Sequence, residues 1–147
     1  MKILLIHGPN LNMLGKRNRD LYGDKTLTEL EAVVTSRARE LGASTKVYQS
    51  NHEGALIDFI QNEAPKADGI IINPGALTHY GLSLRDALED SNLPIVEVHL
   101  SNIHSREEWR RKSVIEELAK TQISGLGWQG YVDAVDFLTA LLKKKKK

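Results

Sequence analysis

Three apolar runs in this chain end in side chains that can bind polar ligands or move protons. Residues 2–6 (KILLI) lead into His7-Gly8-Pro9-Asn10. Residues 69–72 (GIII) lead into Asn73-Pro74-Gly75 and then Thr78-His79, and residues 94–98 (PIVEV) into His99 and then Ser101-Asn102. Imidazole titrates near neutral pH and serves as a general acid or base. Glu97 stands two residues before His99, on the same side of an extended strand. A carboxylate beside an imidazole fixes the ring and favours its charged form. The same geometry also describes a buried histidine satisfied by a glutamate. His79, isolated between a loop and a helix, reads more readily as a cap or a hydrogen-bonded surface group than as a ligand contact.

Two further groups of residues carry chemistry. Lys16, Arg17 and Arg19 precede Tyr22 in a long polar loop. A phenol has a pKa of about 10, and a cation within about 4–6 Å favours its anion. A tyrosinate on a closing loop could remove a proton next to a carbonyl. The other reading is a solvated basic loop whose tyrosine packs by its ring. After His99, Arg106 and Arg110 are four apart and share a face if residues 105–111 are helical. Guanidinium groups suit an anionic, oxygen-rich ligand, although Glu107 and Glu108 also allow an exposed, salt-bridged helix. Taken alone, these residues describe an anion-binding enzyme with a tyrosine lid and a histidine acid, acting on a small hydroxylated carboxylate.

Such groups need a frame that brings them together. Apolar runs without alternation predict strands buried on both faces, as in a parallel sheet covered by helices. Ligands of open α/β sheets bind beyond the carboxyl ends of the strands, so Asn10, Asn73, His79, His99 and Ser101 are expected to converge on one crevice. The predicted strands are 2–7, 44–49 (polar, at an edge), 69–73, 94–99 and a weak one at 122–125. The predicted helices are 26–41, 53–64, 82–90 and 131–142. Thr26-Leu27-Thr28-Glu29 reads as a capping box, Gly42 as a helix terminator, and Pro65 as a stop. Repeated βα alternation with five strands predicts an α/β, flavodoxin-like fold: a parallel sheet of order 2-1-3-4-5 with helices on both faces. Residues 8–25 hold three of the eleven glycines and exceed the usual length of a structureless loop, as a lid does.

The 147 residues fit one catalytic domain, 1–147, with 8–25 as the lid and 143–147 as a basic, disordered tail. A net charge of +1 gives no field for nucleic acid, and no nucleic-acid or membrane partner is expected. There is no cysteine, which removes thiol catalysis, disulfides and cysteine metal sites. No spacing demands a metal. The N-terminal apolar run is too short for a membrane span, so a cytoplasmic location is expected. Gly125-Leu126-Gly127-Trp128-Gln129-Gly130 matches G-x-G-x-x-G. A dinucleotide site also needs a further strand and an acidic residue about 20 positions on, so a tight turn packing the last helix is the better reading. A flavodoxin-like nucleotide or flavin binder is the rival class. It would need a phosphate cradle after the first strand, where Pro9 lacks an N–H.

In combination, a set of longer motifs resembles the type II 3-dehydroquinate dehydratases. They are His7-Gly8-Pro9-Asn10-Leu11-Asn12-Met13-Leu14-Gly15 with Arg17 and Tyr22-Gly23; Gln49-Ser50-Asn51-His52-Glu53-Gly54; Asn73-Pro74-Gly75-Ala76-Leu77-Thr78-His79; Glu97 through Glu108; and Gly125-Leu126-Gly127 with Gly130-Tyr131. The resemblance covers nearly the whole chain. It departs after Arg17, where the family usually has Arg-Glu-Pro and this chain has Arg17-Asn18-Arg19. The resemblance implies reversible anti dehydration of 3-dehydroquinate to 3-dehydroshikimate through an enolate, a step of the shikimate pathway of aromatic amino-acid biosynthesis. It implies no cofactor, no metal and no Schiff base. Tyr22 is then the base at C2, and Arg17 holds it anionic. Asn10 stabilises the enolate, and His99, oriented by Glu97, protonates the departing C1 hydroxyl. Asn73, Ser101 and the Leu100 backbone bind the carboxylate, His79 and Arg110 bind ring hydroxyls, and Arg106 closes the site with the lid. Asp86 reaches in from a neighbouring subunit of a homo-oligomer, a dodecamer built as a tetramer of trimers.

Overall fold

The computed structural model describes residues 1–146. β1 (Lys2–His7), β2 (Ser44–Gln49), β3 (Gly69–Asn73), β4 (Ile95–His99) and β5 (Thr121–Ser124) form one parallel sheet in the order β2-β1-β3-β4-β5, the flavodoxin-like order. The helices are α1 (Arg19–Tyr22), α2 (Leu27–Glu40), α3 (Glu53–Glu63), α4 (Leu82–Asp90) and α5 (Gln129–Lys145).

The apolar runs explain the layering. Successive side chains of a strand point to opposite faces. In β1, Ile3 and Leu5 pack with Leu30 and Val34 of α2 and Val135 and Leu138 of α5. Leu4 and Ile6 pack on the other face with Leu56 and Ile60 of α3 and Leu84 and Leu88 of α4. Each fully buried aliphatic side chain contributes about 1.5–3 kcal/mol, so both faces must be covered. β2 at the edge is only half-buried, which matches its mixed composition. At the start of α2, the Thr26 hydroxyl accepts from the Glu29 N–H (3.2 Å) and the Glu29 carboxylate accepts from the Thr26 N–H (3.3 Å), closing the capping box.

Three segments refine the sequence reading, beyond shifts of a residue or two at the element ends. The lid is not structureless. It contains a 3₁₀ turn at Leu11–Met13 and the single turn of α1, with Leu11 and Leu14 sunk into the core. Residues 105–111, readable as a short helix or as an ordered loop, are parts of two 3₁₀ turns, Ile103–Ser105 and Glu108–Arg110, with extended backbone at Arg106 between them. α5 continues through Lys145, so the tail expected to be disordered from residue 143 begins as helix. Cations suit the carbonyl end of a helix. Lys147, the last residue of that expected tail, lies outside the described residues.

Candidate active site

The strand register brings the carboxyl ends together. His7 of β1 is level with Asn73 of β3, and Ile72 with Glu97 of β4, which places His99 just beyond them. The loops after β1 and β3 then meet backbone to backbone. The Gly8 N–H donates to the Asn73 carbonyl at 2.8 Å. A Cβ on Gly8 would lie 2.2 Å from the Pro74 carbonyl oxygen, and one on Gly75, whose φ is +61°, 2.8 Å from that of Pro9. Only glycine fits either place. Gln49 and Asn51, after β2, support the other side of the turn: the Gln49 amide donates to the Gly8 carbonyl (3.2 Å), and the Asn51 side chain accepts from the Asn10 N–H (2.9 Å). Asn10 adopts a left-handed φ of 71°, which asparagine tolerates.

The result is an open crevice of about 570 Å³, its mouth included. Asn10, Arg17, Tyr22, Asn73, His79, His99, Leu100, Ser101, Arg106 and Arg110 all line it. Glu97 is fully buried behind His99 and does not reach the crevice. Asp86 is exposed on α4 and lies outside the crevice of its own chain. Lys16, Arg19 and His104 also stay outside, with His104 turned to Gln122 at 2.9 Å.

Two charged arrangements give the crevice its chemistry. The Glu97 carboxylate lies 2.5 Å from His99 Nε2 and also accepts from the hydroxyls of Thr78 (2.5 Å) and Ser113 (2.9 Å). Burial alone would raise the Glu97 pKa. The hydrogen bond and charge of His99, with the two hydroxyls, outweigh it and hold the carboxyl below its ordinary range. An ionised Glu97 fixes the proton on Nε2, so the proton His99 can transfer is the one on Nδ1. In the lid, the Arg17 guanidinium lies 3.8 Å over the Tyr22 ring, while Arg106 donates to the phenol oxygen at 2.8 Å and to Ser101 at 3.3 Å. Arg106, not Arg17, therefore touches the oxygen.

His79 sits at the rim. Burial lowers its pKa; His99 and Arg110 add to this, and the Lys112 carbonyl opposes it. The neutral ring must donate from Nδ1 to that carbonyl (2.7 Å), which leaves Nε2 as an acceptor. Trp109 meets its edge at 5.5 Å and carries Arg110 on its own face at 4.0 Å. Among the described residues, no group of three or more His, Asp or Glu side chains is arranged to hold a metal.

The family profile described as Dehydroquinase class II matches residues 1–139. The chain belongs to this family. It is 60% identical over 138 residues to the 3-dehydroquinate dehydratase of Roseiflexus castenholzii, covering 94% of this chain and 88% of that one. It is 49% identical to the 3-dehydroquinate dehydratase of Thermotoga neapolitana, over the full length of both. Among solved structures, the type II dehydroquinase of Butyrivibrio crossotus superposes with a TM-score of 0.90 at 46% identity, covering 94% of this chain and 97% of that one.

Two local features support the crevice and the lid. The G-x-G-x-x-G run after β5 is a clamp, not a phosphate cradle. Gly125 N–H donates to the Ser101 carbonyl (3.1 Å) and Gly127 N–H to that of Leu100 (3.2 Å), so these donors are spent on the crevice wall. The second is the lid departure at Asn18-Arg19. Asn18 caps α1: its side chain accepts from the Asp20 N–H (3.0 Å) and its carbonyl from the Tyr22 N–H (3.0 Å). Sequence reasoning missed three contacts: the cap, the Arg106 contact to Tyr22, and the Ser113 support of Glu97. Asn18 before a short polar turn was a visible capping signal. Ser113, 16 residues past Glu97, carried none.

Proposed function

We propose that the chain is a type II 3-dehydroquinate dehydratase, a cytoplasmic lyase of the shikimate pathway, with the following division of labour. Tyr22 removes the C2 proton. The electron pair passes into an enolate that Asn10 helps to stabilise through water. His99 Nδ1 then protonates the C1 hydroxyl, which leaves as water while the C1–C2 double bond forms. Arg17 over the ring and Arg106 on the oxygen stabilise negative charge at Tyr22. Asn73, the Ser101 hydroxyl and the Leu100 N–H bind the carboxylate, since the Leu100 carbonyl is already engaged. His79 Nε2 accepts from a ring hydroxyl, and Arg110 donates to another. The observation that carries this reading is that the Tyr22 oxygen and His99 face one crevice, each held by charged partners. Mixing the protein with 3-dehydroquinate should produce conjugated-enone absorbance; no absorbance change would remove the assignment.

The mechanism needs neither a metal nor an imine. Activity is expected to survive a chelator, and also borohydride added with substrate. Loss under either treatment would overturn the route.

Asn18 serves the lid. Asn18→Ala should lower kcat about fivefold, within the range of a lost helix cap, and Asn18→Asp should restore it. Equal rates for wild type and Asn18→Ala would show that the cap does not hold the base in place.

The working unit is a homo-oligomer, a dodecamer of four trimers, in which Asp86 completes a neighbour's crevice. Tyr80, Leu82 and Trp109 are large apolar side chains left 63%, 62% and 55% exposed, and a neighbouring subunit would cover them. Leu82 and Asp86 share a face of α4 at i,i+4. Asp86→Ala should cost about tenfold in kcat/KM. Sedimentation that finds a fully active monomer at assay concentration would contradict the shared site. Among the described residues no helix is long and apolar enough to cross a membrane.

A further inference from the structure

The Asn73 amide at the end of β3 is held in a single orientation. Its Oδ1 accepts from the Gly75 N–H at 3.0 Å, and a backbone N–H can only donate. Nδ2 therefore faces the Tyr131 hydroxyl, 2.8 Å away in a buried bond. That hydroxyl must accept, so its own proton is directed away from Asn73. Tyr131 belongs to the first turn of α5 and is fully buried. Burial pushes its phenol far above the ordinary range, against the pull of the Asn73 bond, so it stays neutral at working pH.

The other neighbour of Tyr131 is His7, which pairs with Asn73 across β1 and β3. The His7 ring is centred 6.0 Å from that of Tyr131, and His7 Nε2 lies 3.4 Å from the Glu31 carboxylate. Neither His7 nitrogen has a hydrogen-bond partner among the described residues. Burial lowers the His7 pKa to about 4, so this contact is not an ion pair at neutral pH. A buried ring with no hydrogen-bond partner is costly, and His7 stands next to Asn73 in the sheet.

We propose that Tyr131 is a positioning residue for substrate binding: as a fixed acceptor it takes one N–H of the Asn73 amide and presents the other to the substrate carboxylate. The inference rests on Asn73 being a carboxylate ligand. Without the Tyr131 oxygen, Nδ2 loses its buried partner and the amide is free to turn from the crevice in search of another. A carboxylate answers directly to such a change, because its oxygens accept only.

The test is a two-by-two comparison of wild type, Tyr131→Phe, Asn73→Ala and the double variant. KM and kcat are measured with 3-dehydroquinate, and product affinity by titration. Tyr131→Phe keeps the ring and its packing. Its KM should rise about tenfold, the scale of one well-made hydrogen bond, with kcat within threefold of wild type. In the Asn73→Ala background the same substitution should change KM less than twofold, because its only route of action is gone. A tenfold change in both backgrounds would show that the Tyr131 hydroxyl acts by a route other than Asn73, which overturns the inference. An unchanged KM in Tyr131→Phe beside a raised KM in Asn73→Ala overturns the inference and leaves the carboxylate reading standing. An unchanged KM in Asn73→Ala removes that reading and the inference together. Product affinity should follow KM; if Tyr131→Phe refolds too poorly for kinetics, product titration of the folded fraction gives the same comparison.

Discussion

Tyr22→Phe is expected to fold, to bind substrate and product, and to turn over about 10²–10⁴-fold more slowly than wild type, the range for loss of a general base. The substitution removes one oxygen. Tyr22 is only half-buried, and its ring packs at the edge of the α2–α5 core cluster. That packing and the stacking under Arg17 survive in phenylalanine. What disappears is the atom that Arg106 holds at 2.8 Å in the crevice. An ordinary phenol, with a pKa of about 10, is almost wholly protonated at pH 7. Base chemistry at this position therefore needs guanidinium groups that stay charged at any working pH. The geometry divides the work between two of them. Arg17→Ala and Arg106→Ala should each reduce kcat heavily, and Lys at either position should recover only part, because a point charge on a flexible stem replaces a planar fork.

His99→Ala should cost about 10²–10⁴ in kcat, the usual contribution of a general acid. The ring lies at the end of β4 with Nε2 committed to Glu97, so no other group in the same place can deliver a proton from Nδ1. Glu97→Gln should cost less. The amide keeps the shape and an acceptor oxygen, and the Thr78 and Ser113 hydroxyls remain to hold it. What it loses is the negative charge opposite an imidazolium. Near wild-type kcat in His99→Ala would remove the acid role, and a Glu97→Gln enzyme slower than His99→Ala would mean that Glu97 does more than orient the ring.

Much of this was legible in the chain because burial on both faces leaves a mark in sequence. The runs 3–6 and 70–72 could only be central strands, and βα alternation then left few orders for the sheet. The ends of those strands and of the run 94–98 put Asn10, Asn73, His79, His99 and Ser101 on one crevice, and they all line it. The Glu97–His99 pair was readable because strand periodicity puts i and i+2 on one side. Contacts between distant loops were not readable. Arg106 and Tyr22 are 84 positions apart, and nothing local in either segment announces the hydrogen bond. Whether 105–111 is a short helix or an ordered loop was open for a related reason. The i,i+4 spacing of Arg106 and Arg110 fits a helix, but two 3₁₀ turns bring both guanidinium groups to the crevice without one. The lysine-rich end read as frayed because five like charges repel, whereas the end of α5 tolerates them as far as Lys145.

Tyr22 as the base is tested most directly by parallel assays of wild type and Tyr22→Phe. Both proteins are mixed with 3-dehydroquinate at equal concentration, the rise in enone absorbance is followed, and product binding is titrated on each. Wild type is expected to give a rapid rise and Tyr22→Phe a nearly flat trace, with product bound by both. A comparable rise from Tyr22→Phe would mean that the tyrosine only packs and that another group takes the proton.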